Sequence, residues 1–160
     1  MNKKYSNVDV VSYQTLNDYS NELKATDHID LNLTGYVSDG GREVFLNPFV
    51  FNDYSSNPLK SESRKFPVDF GESHKLKKIV SIEIPEGWSV KFVPESVSVT
   101  LPDESATYNY STMTSGDKIQ IYVTLAIDKP IYMAEEYVAL RQLFSTAVAK
   151  MNEFIVMVKN

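Results

Sequence analysis

The stretch IVSIEIPEGWSVKFVPESVSVTL (residues 79–101) decides the fold class of this 160-residue chain. Apolar residues occupy every second position in three short runs, and this period is typical of a half-buried β-strand. Turns that begin with proline separate and end the runs: Pro85-Glu86-Gly87, Pro94-Glu95 and Pro102-Asp103-Glu104-Ser105. Because no connection is long enough to hold a crossover helix, the spacing predicts an antiparallel sandwich or barrel.

Toward the C-terminus the alternation continues and then gives way to a helical period. The longest clean alternation, residues 119–127, predicts a strand in the centre of a sheet. After Pro130 apolar residues recur every three or four positions, which predicts an amphipathic helix of about five turns: Tyr137, Leu140, Phe144, Val148 and Met151. Phe154–Val158 then reads as a closing strand.

The predicted fold class is therefore mainly β (α+β). It has an antiparallel β-sandwich-like body with one long C-terminal amphipathic helix, followed by a short final strand. The helix must bury its apolar stripe, so we expect it to pack on one sheet face or to close one end of the sandwich.

Toward the N-terminus the signals are weaker. Leu16, Tyr19 and Leu23 stand near helical spacing and predict a short helix within residues 14–26. Residues 28–37 alternate like a strand, and the glycines of Ser38-Asp39-Gly40-Gly41 suit a tight hairpin with a return strand over residues 43–46. We predict an N-terminal β annex over residues 1–46, which could also be part of the same domain, and a main domain over residues 47–160.

Between these two regions lies NPFVFNDYSSNPLKSESRKFPVDFG (residues 47–71). Its prolines remove backbone donors and bias the preceding residues toward extended conformations, so no regular element fits. Its five aromatic residues are too many for a flexible linker. We expect an ordered, extended connector laid over the β body.

Composition excludes several classes of function. The formal charge of −5 and a pI near 5.0 argue against a nucleic-acid or anionic-membrane partner. The absence of cysteine excludes disulfides, zinc–thiolate sites and a cysteine nucleophile within this chain. No apolar run is long enough to span a bilayer, and no apolar segment follows the N-terminal lysines as an export signal would require.

The candidate catalytic and metal-binding residues form no convincing constellation. Asp27, His28 and Asp30 are close in sequence, but on a strand Asp27 faces away from the other two and no second cluster completes a metal site. His74 lies close in sequence to Asp69 and Ser73, which suggests a catalytic triad. No nucleophile elbow accompanies these residues, so hydrolase chemistry is only a weak alternative. The sequence thus predicts no catalytic residue, no metal and no cofactor.

Five residues are candidates for structural or interaction roles. Arg64 and Asp69 flank Phe66-Pro67, and they could form a bidentate ion pair or cap the backbone groups of the connector. Trp88, Tyr108 and Tyr110 could stack on sugar rings, although tyrosines on a strand commonly make cross-strand contacts instead. A glycan- or peptide-binding β-sandwich module is therefore an alternative function.

Several segments together carry a family resemblance. The connector, the turn-strand-turn IPEGWSVKFVPES, the helix IYMAEEYVALRQLF and the closing NEFIVMVK occur in that order between Asn47 and Lys159. In this order and spacing they resemble the uncharacterised C-terminal domain that follows a transglutaminase-like core in secreted bacterial proteins. Residues before Asn47 match less well.

The resemblance implies a context more than a mechanism. The core of such proteins would use a cysteine nucleophile oriented by histidine and an acid, and this chain, lacking cysteine, is not that core. It implies a non-catalytic accessory domain that packs on the catalytic region of its parent or positions partners for it. It also implies an extracytoplasmic location, secreted or periplasmic. An interface with the catalytic region predicts an exposed apolar patch on the isolated domain.

Overall fold

The computed structural model describes residues 8–18, 24–52 and 54–160. In this part of the chain the elements follow one another as β1 (Val8–Asp18), β2 (Lys24–Leu33), β3 (Val37–Asp39), β4 (Glu43–Leu46), β5 (Val68–Asp69), β6 (His74–Glu83), β7 (Trp88–Phe92), β8 (Val97–Thr100), β9 (Ala106–Ser115), β10 (Lys118–Ile127), β11 (Ile131–Tyr132), α1 (Tyr137–Met151) and β12 (Ile155–Lys159).

The chain divides into two compact units, Met1–Ser38 and Asp39–Asn160. The sequence placed a boundary after Leu46, whereas this division falls eight residues earlier. The physical reason is strand pairing: β4 joins β12 in register, with Leu46 opposite Ile155 and Glu43 opposite Val158. Residues 43–46 therefore share a sheet with the C-terminal strand.

In the first unit, β1 and β2 form an antiparallel hairpin that runs from the Val8–Leu33 pair to the Asp18–Lys24 pair. The helix predicted within residues 14–26 is wrong wherever the structure describes it, and residues 19–23 lie outside the described part. Cross-strand hydrogen bonds outweigh the helical spacing of the apolar residues. The Thr15 hydroxyl donates to the Asp27 carboxylate at 2.7 Å, for example, over a separation of 12 residues.

The second unit holds two four-stranded antiparallel sheets. The β10 sheet has the order β6-β10-β9-β8, and the β12 sheet has the order β3-β4-β12-β7, in which the edge strand β3 spans the division between the units. The central position predicted for residues 119–127 is confirmed, because β10 pairs with β6 on one side and with β9 on the other. The predicted hairpin turn before β4 is also confirmed: Gly41 has φ +87°, and the Gly40 N–H donates to the Glu43 carbonyl at 2.7 Å.

The helix covers the inner face of the β10 sheet, where it contacts β8 and β9. It has 15 residues, Tyr137–Met151, which is about four turns. The apolar positions predicted from the sequence span these same residues, so the expected five turns were an overestimate of the length. Its buried stripe meets the inward-facing residues of β9 and β10 in one apolar core: Tyr137, Leu140, Leu143, Phe144, Ala147 and Met151. The predicted fold class, mainly antiparallel β with one C-terminal helix and a final strand, is confirmed.

Candidate functional site

Asparagine side chains shape the connector strap, as we call residues 47–71. The side-chain oxygens of Asn47, Asn52 and Asn57 each accept a hydrogen bond from the backbone N–H two residues later, at 2.8, 3.0 and 2.8 Å. Such turns fix the backbone locally where no strand or helix neighbour is available. The five-residue spacing of these asparagines is visible in the sequence, but the sequence analysis did not use it.

Asn57 also fastens the strap to helix α1. Its Nδ2 donates to the Arg141 carbonyl at 2.9 Å and to the Ser145 hydroxyl at 2.8 Å. In return, Nε of Arg141 donates to the Leu59 carbonyl at 3.1 Å. The middle of the strap is therefore bonded to the helix from both directions.

Aromatic side chains of the strap pack against the same helix. The ring of Tyr54 meets Phe144 edge-on at 5.5 Å between centroids, and Phe70 stacks on Phe144 at 6.1 Å. Phe70 also meets Tyr132 edge-on at 5.7 Å. These aromatic side chains of the strap therefore pack against the core, which agrees with the ordered connector over the β body that the sequence predicted.

Arg64 and Asp69 make separate contacts in the described structure rather than the ion pair considered from the sequence. The Arg64 guanidinium lies over the Tyr137 ring, 5.6 Å from its centroid. The Asp69 carboxylate accepts the Gly71 N–H at 2.8 Å and so caps the backbone. Arg64 therefore contacts helix α1, and Asp69 fixes the backbone at the C-terminal end of the strap.

Tyr108 and Tyr110 face the core and not the solvent. Their side chains are 0% and 1% exposed on the inner face of β9, and Phe49 of the strap meets Tyr110 edge-on at 6.1 Å. Burial raises the pKa of both phenols, and neither hydroxyl has a hydrogen-bond partner among the described residues. A sugar platform that includes these two tyrosines would require them at the surface.

Trp88 is only partly buried, and it borders an open cleft of about 430 Å³. The turn between β6 and β7 forms one wall and supplies Glu86, and the turn between β9 and β10 forms the other and supplies Asp117. The hydroxyl-bearing residues Ser89 and Thr114 also line this cleft. Trp88 is already a candidate from the sequence, but the residues of the second turn that line the cleft with it follow only from the tertiary fold.

The remaining sequence candidates are not assembled into a catalytic or metal site. Nδ1 of His74 lies 3.4 Å from the Glu72 carbonyl, and its ring packs edge-on against Phe70, while the Asp69 carboxylate is bonded elsewhere. In the first unit Asp27 and Asp30 accept cross-strand hydroxyl bonds. Within residues 8–18, 24–52 and 54–160, no group of three or more His, Cys, Asp or Glu residues could hold a metal ion.

A cluster of one lysine and two carboxylates lies at the turn that leads into helix α1. Nζ of Lys129 lies 2.7 Å from the Asp103 carboxylate and 2.5 Å from the Glu136 carboxylate, which also accepts the Met133 N–H at 2.8 Å. The hydrogen bonds from Lys129 and Ser105 hold the pKa of Asp103 well below its usual range. The same two carboxylates raise the pKa of Lys129.

Four apolar side chains at the start of the helix are exposed to solvent, and we call them the strap patch: Phe66 (79% exposed), Ile131 (45%), Met133 (54%) and Val138 (64%). β11 pairs with β5, with Ile131 opposite Asp69, so the strap segment that carries Phe66 runs beside the residues that follow Tyr132. The Arg64–Tyr137 contact holds the same segment at the first helical turn. These contacts place the segments that carry the four side chains next to one another, a neighbourhood that the sequence alone does not reveal.

Most of the second unit matches one known family model. Residues 42–157 match the model of a family described as "Domain of Unknown Function with solved-structure structure (DUF3858)". No curated protein matches the chain. No helix in the described part of the chain is long and apolar enough to cross a membrane.

One solved structure, described as that of "a putative protease from Parabacteroides distasonis", resembles the chain with a TM-score of 0.53 at 13% sequence identity. The match covers 61% of this chain and 19% of that one, so the chain spans about a fifth of the length of the neighbour. At this level of identity the likeness shows a shared fold alone.

Proposed function

We propose that this chain, which belongs to the DUF3858 family of domains of unknown function, is a non-catalytic accessory domain of a secreted or periplasmic bacterial protein. In this proposal its partner is the transglutaminase-like catalytic region of the parent chain, and it packs on that region through the strap patch. The strap patch is the observation that carries the proposal.

The strap patch exposes four large apolar side chains on neighbouring segments of the chain. Phe66 is 79% exposed, and Pro67 restricts the backbone directly after it. Large exposed apolar residues that cluster, rather than stand singly, mark interaction surfaces. Aromatic residues and methionine, which Phe66 and Met133 represent here, are also enriched in protein interfaces relative to the rest of the surface.

The strap provides the rigidity that an aromatic residue such as Phe66 needs at an interface. Asn57 and Arg141 bond the strap to helix α1, and Arg64 lies on the Tyr137 ring two residues before Phe66. A surface held in its bound conformation loses little conformational entropy on association. The proposal therefore gives the strap a function, which is to present Phe66 at a fixed position.

The test is to express the catalytic region of the parent reading frame separately and to measure its binding to this chain by calorimetry. We expect Phe66→Ser and Val138→Ser each to weaken binding by tenfold or more, because each removes apolar contact area at the centre of the interface. Ile79→Ser is the matched control, since Ile79 is 72% exposed on the outer face of the β10 sheet and is not part of the strap patch.

Equal effects of all three substitutions, or an unchanged affinity in the Phe66 variant, would show that the strap patch is not the interface. The parentage has its own test. A parent reading frame without a Cys, His and acid constellation upstream of this chain would rule out the transglutaminase-like partner.

A further inference from the structure

The cleft beside Trp88 is built by two turns that the fold locks together. The Ile84 N–H donates to the Asp117 carbonyl at 2.7 Å, which joins the β6–β7 turn to the β9–β10 turn. The first turn is closed by the Trp88 N–H, which donates to the Pro85 carbonyl at 3.1 Å. Asn160 supports it from β12 by donating its N–H to the Gly87 carbonyl at 2.9 Å. The walls of the cleft are therefore preformed.

We infer that this cleft binds a primary ammonium group carried on a short alkyl chain, as in a lysine side chain or a diamine. Its volume of about 430 Å³ is large enough for such a group, since small-molecule sites begin near 300 Å³. The inference goes beyond the accessory role and does not depend on it, because the strap patch contributes no residue to the cleft.

The two carboxylates that line the cleft favour a positively charged ligand. Glu86 and Asp117 reach the cleft from opposite turns, and neither carboxylate makes an ion pair or a hydrogen bond with a described residue. No lysine or arginine lines the cleft. Two uncompensated carboxylates at one site favour a cation over a neutral ligand.

The indole of Trp88 adds a second attraction for the same class of ligand. An ammonium group near the face of an indole is stabilised by the negative charge of the ring face. Ile84 and Val90 line the cleft beside it and provide apolar contacts for the methylene groups. A ligand with a charged end and a short apolar stem matches all of these groups, whereas a hexose would leave both carboxylates without a counter-charge.

Trp88 is the sole tryptophan of the chain, so its fluorescence reports on this cleft directly. The probes are N-acetyl-lysine methylamide and 1,5-diaminopentane, with N-acetyl-norleucine methylamide and glucose as neutral controls. We expect a saturable change with the two ammonium probes alone, weakened several-fold between 0.05 and 0.5 M salt because screening shortens the reach of the carboxylates. A tighter complex with the lysine derivative points to a peptide ligand, and equal affinities point to a free amine; both support the inference.

Charge-neutral variants complete the test. Glu86→Gln and Asp117→Asn remove one carboxylate each at exposed positions, and we expect each to weaken ammonium binding about fivefold or more without changing the melting curve. Glu95→Gln, an exposed carboxylate on another turn, is the matched control and should bind like the original chain. The inference is overturned if no ammonium probe changes the Trp88 signal, or if the norleucine derivative or glucose binds with the same affinity as the ammonium probes. It is also overturned if the variant that carries both Glu86→Gln and Asp117→Asn retains full affinity.

Discussion

Asn57 occupies the position at which the connector strap depends most on a single side chain. It accepts the Leu59 N–H and donates to the Arg141 carbonyl and the Ser145 hydroxyl, so one amide satisfies three partners. We expect Asn57→Ala to lower the free energy of unfolding by about 1–3 kcal/mol, because it leaves half-buried groups unpaired. Chemical denaturation at neutral pH measures this change.

Asn109→Ala is the control for that measurement. Asn109 is exposed on the outer face of β9 and accepts a hydrogen bond from the Ser98 hydroxyl alone. Its replacement should change the free energy of unfolding by no more than about 0.5 kcal/mol. Equal losses for the two variants would mean that the strap is not held by Asn57.

Asp103 should make stability depend on pH in one direction. Its pKa is depressed in the folded state, so its contribution to stability is present above its unfolded pKa of about 3.9 and is lost as the pH falls from there toward the folded pKa. Lys129 has a raised pKa in the folded state. Its contribution to the free energy of unfolding is therefore complete below its unfolded pKa of about 10.4 and is lost as the pH rises above that value.

We therefore expect Asp103→Asn to lower the melting temperature at pH 7, with a difference from the original chain that shrinks below about pH 4. The control is Asp128→Asn, whose carboxylate makes no ion pair with a described residue. A melting-temperature difference that stays constant from pH 7 to pH 3 contradicts the assignment.

At the scale of elements, helix α1 and the connector strap form one packing unit around Phe144. That side chain is 0% exposed and contacts both Tyr54 and Phe70 of the strap. Phe144→Ala should cost about 3–5 kcal/mol in the free energy of unfolding, and strap amides should exchange faster in parallel with helix amides. Val138→Ala, on the exposed side of the same helix, is the control. If only the helix amides exchanged faster, the strap and helix α1 would not be one packing unit.

The success of sequence reasoning differed between elements for a physical reason. β10 and α1 are long and buried on a consistent face, so their periods are unambiguous. The segment from Gln14 to Thr26 was predicted wrongly because three apolar residues at helical spacing are weak evidence, while the Thr15 hydroxyl finds its partner, Asp27, across a hairpin. Alternation also predicted that Tyr108 and Tyr110 share a face, but it could not say that this face is the inner one.

At the scale of the whole molecule, stability should reside in the second unit. The β1–β2 hairpin is two-stranded, and such hairpins are marginally stable alone. We expect residues 37–160, a fragment that keeps β3 whole, to unfold in one cooperative transition with a melting temperature within a few degrees of that of the full chain. A loss of cooperative unfolding in this fragment would assign a stabilising role to the first unit.

The fold class could be predicted from the sequence because it depends on local periods and short turns. The candidate sites could not, because the strap patch and the Trp88 cleft each combine side chains from segments far apart in the chain. Phe66 is brought to the region of Ile131 and Val138 by the β5–β11 pairing and the Arg64–Tyr137 contact. The turn that carries Glu86 is brought to Asp117 by the β6–β10 pairing, next to which the Ile84 N–H donates to the Asp117 carbonyl. Such meetings follow from tertiary structure and leave no period in the sequence.

The position of β12 bears on how the protein is made. Ile155–Lys159 come after every other described element in the chain, yet they lie between β4 and β7, which precede them by some 60 to 110 residues. While the ribosome still holds this segment in its exit tunnel, β4 and β7 have no strand between them and their edges are open. The sheet can close only after translation has passed residue 159, so folding of this unit is completed after its synthesis and not during it.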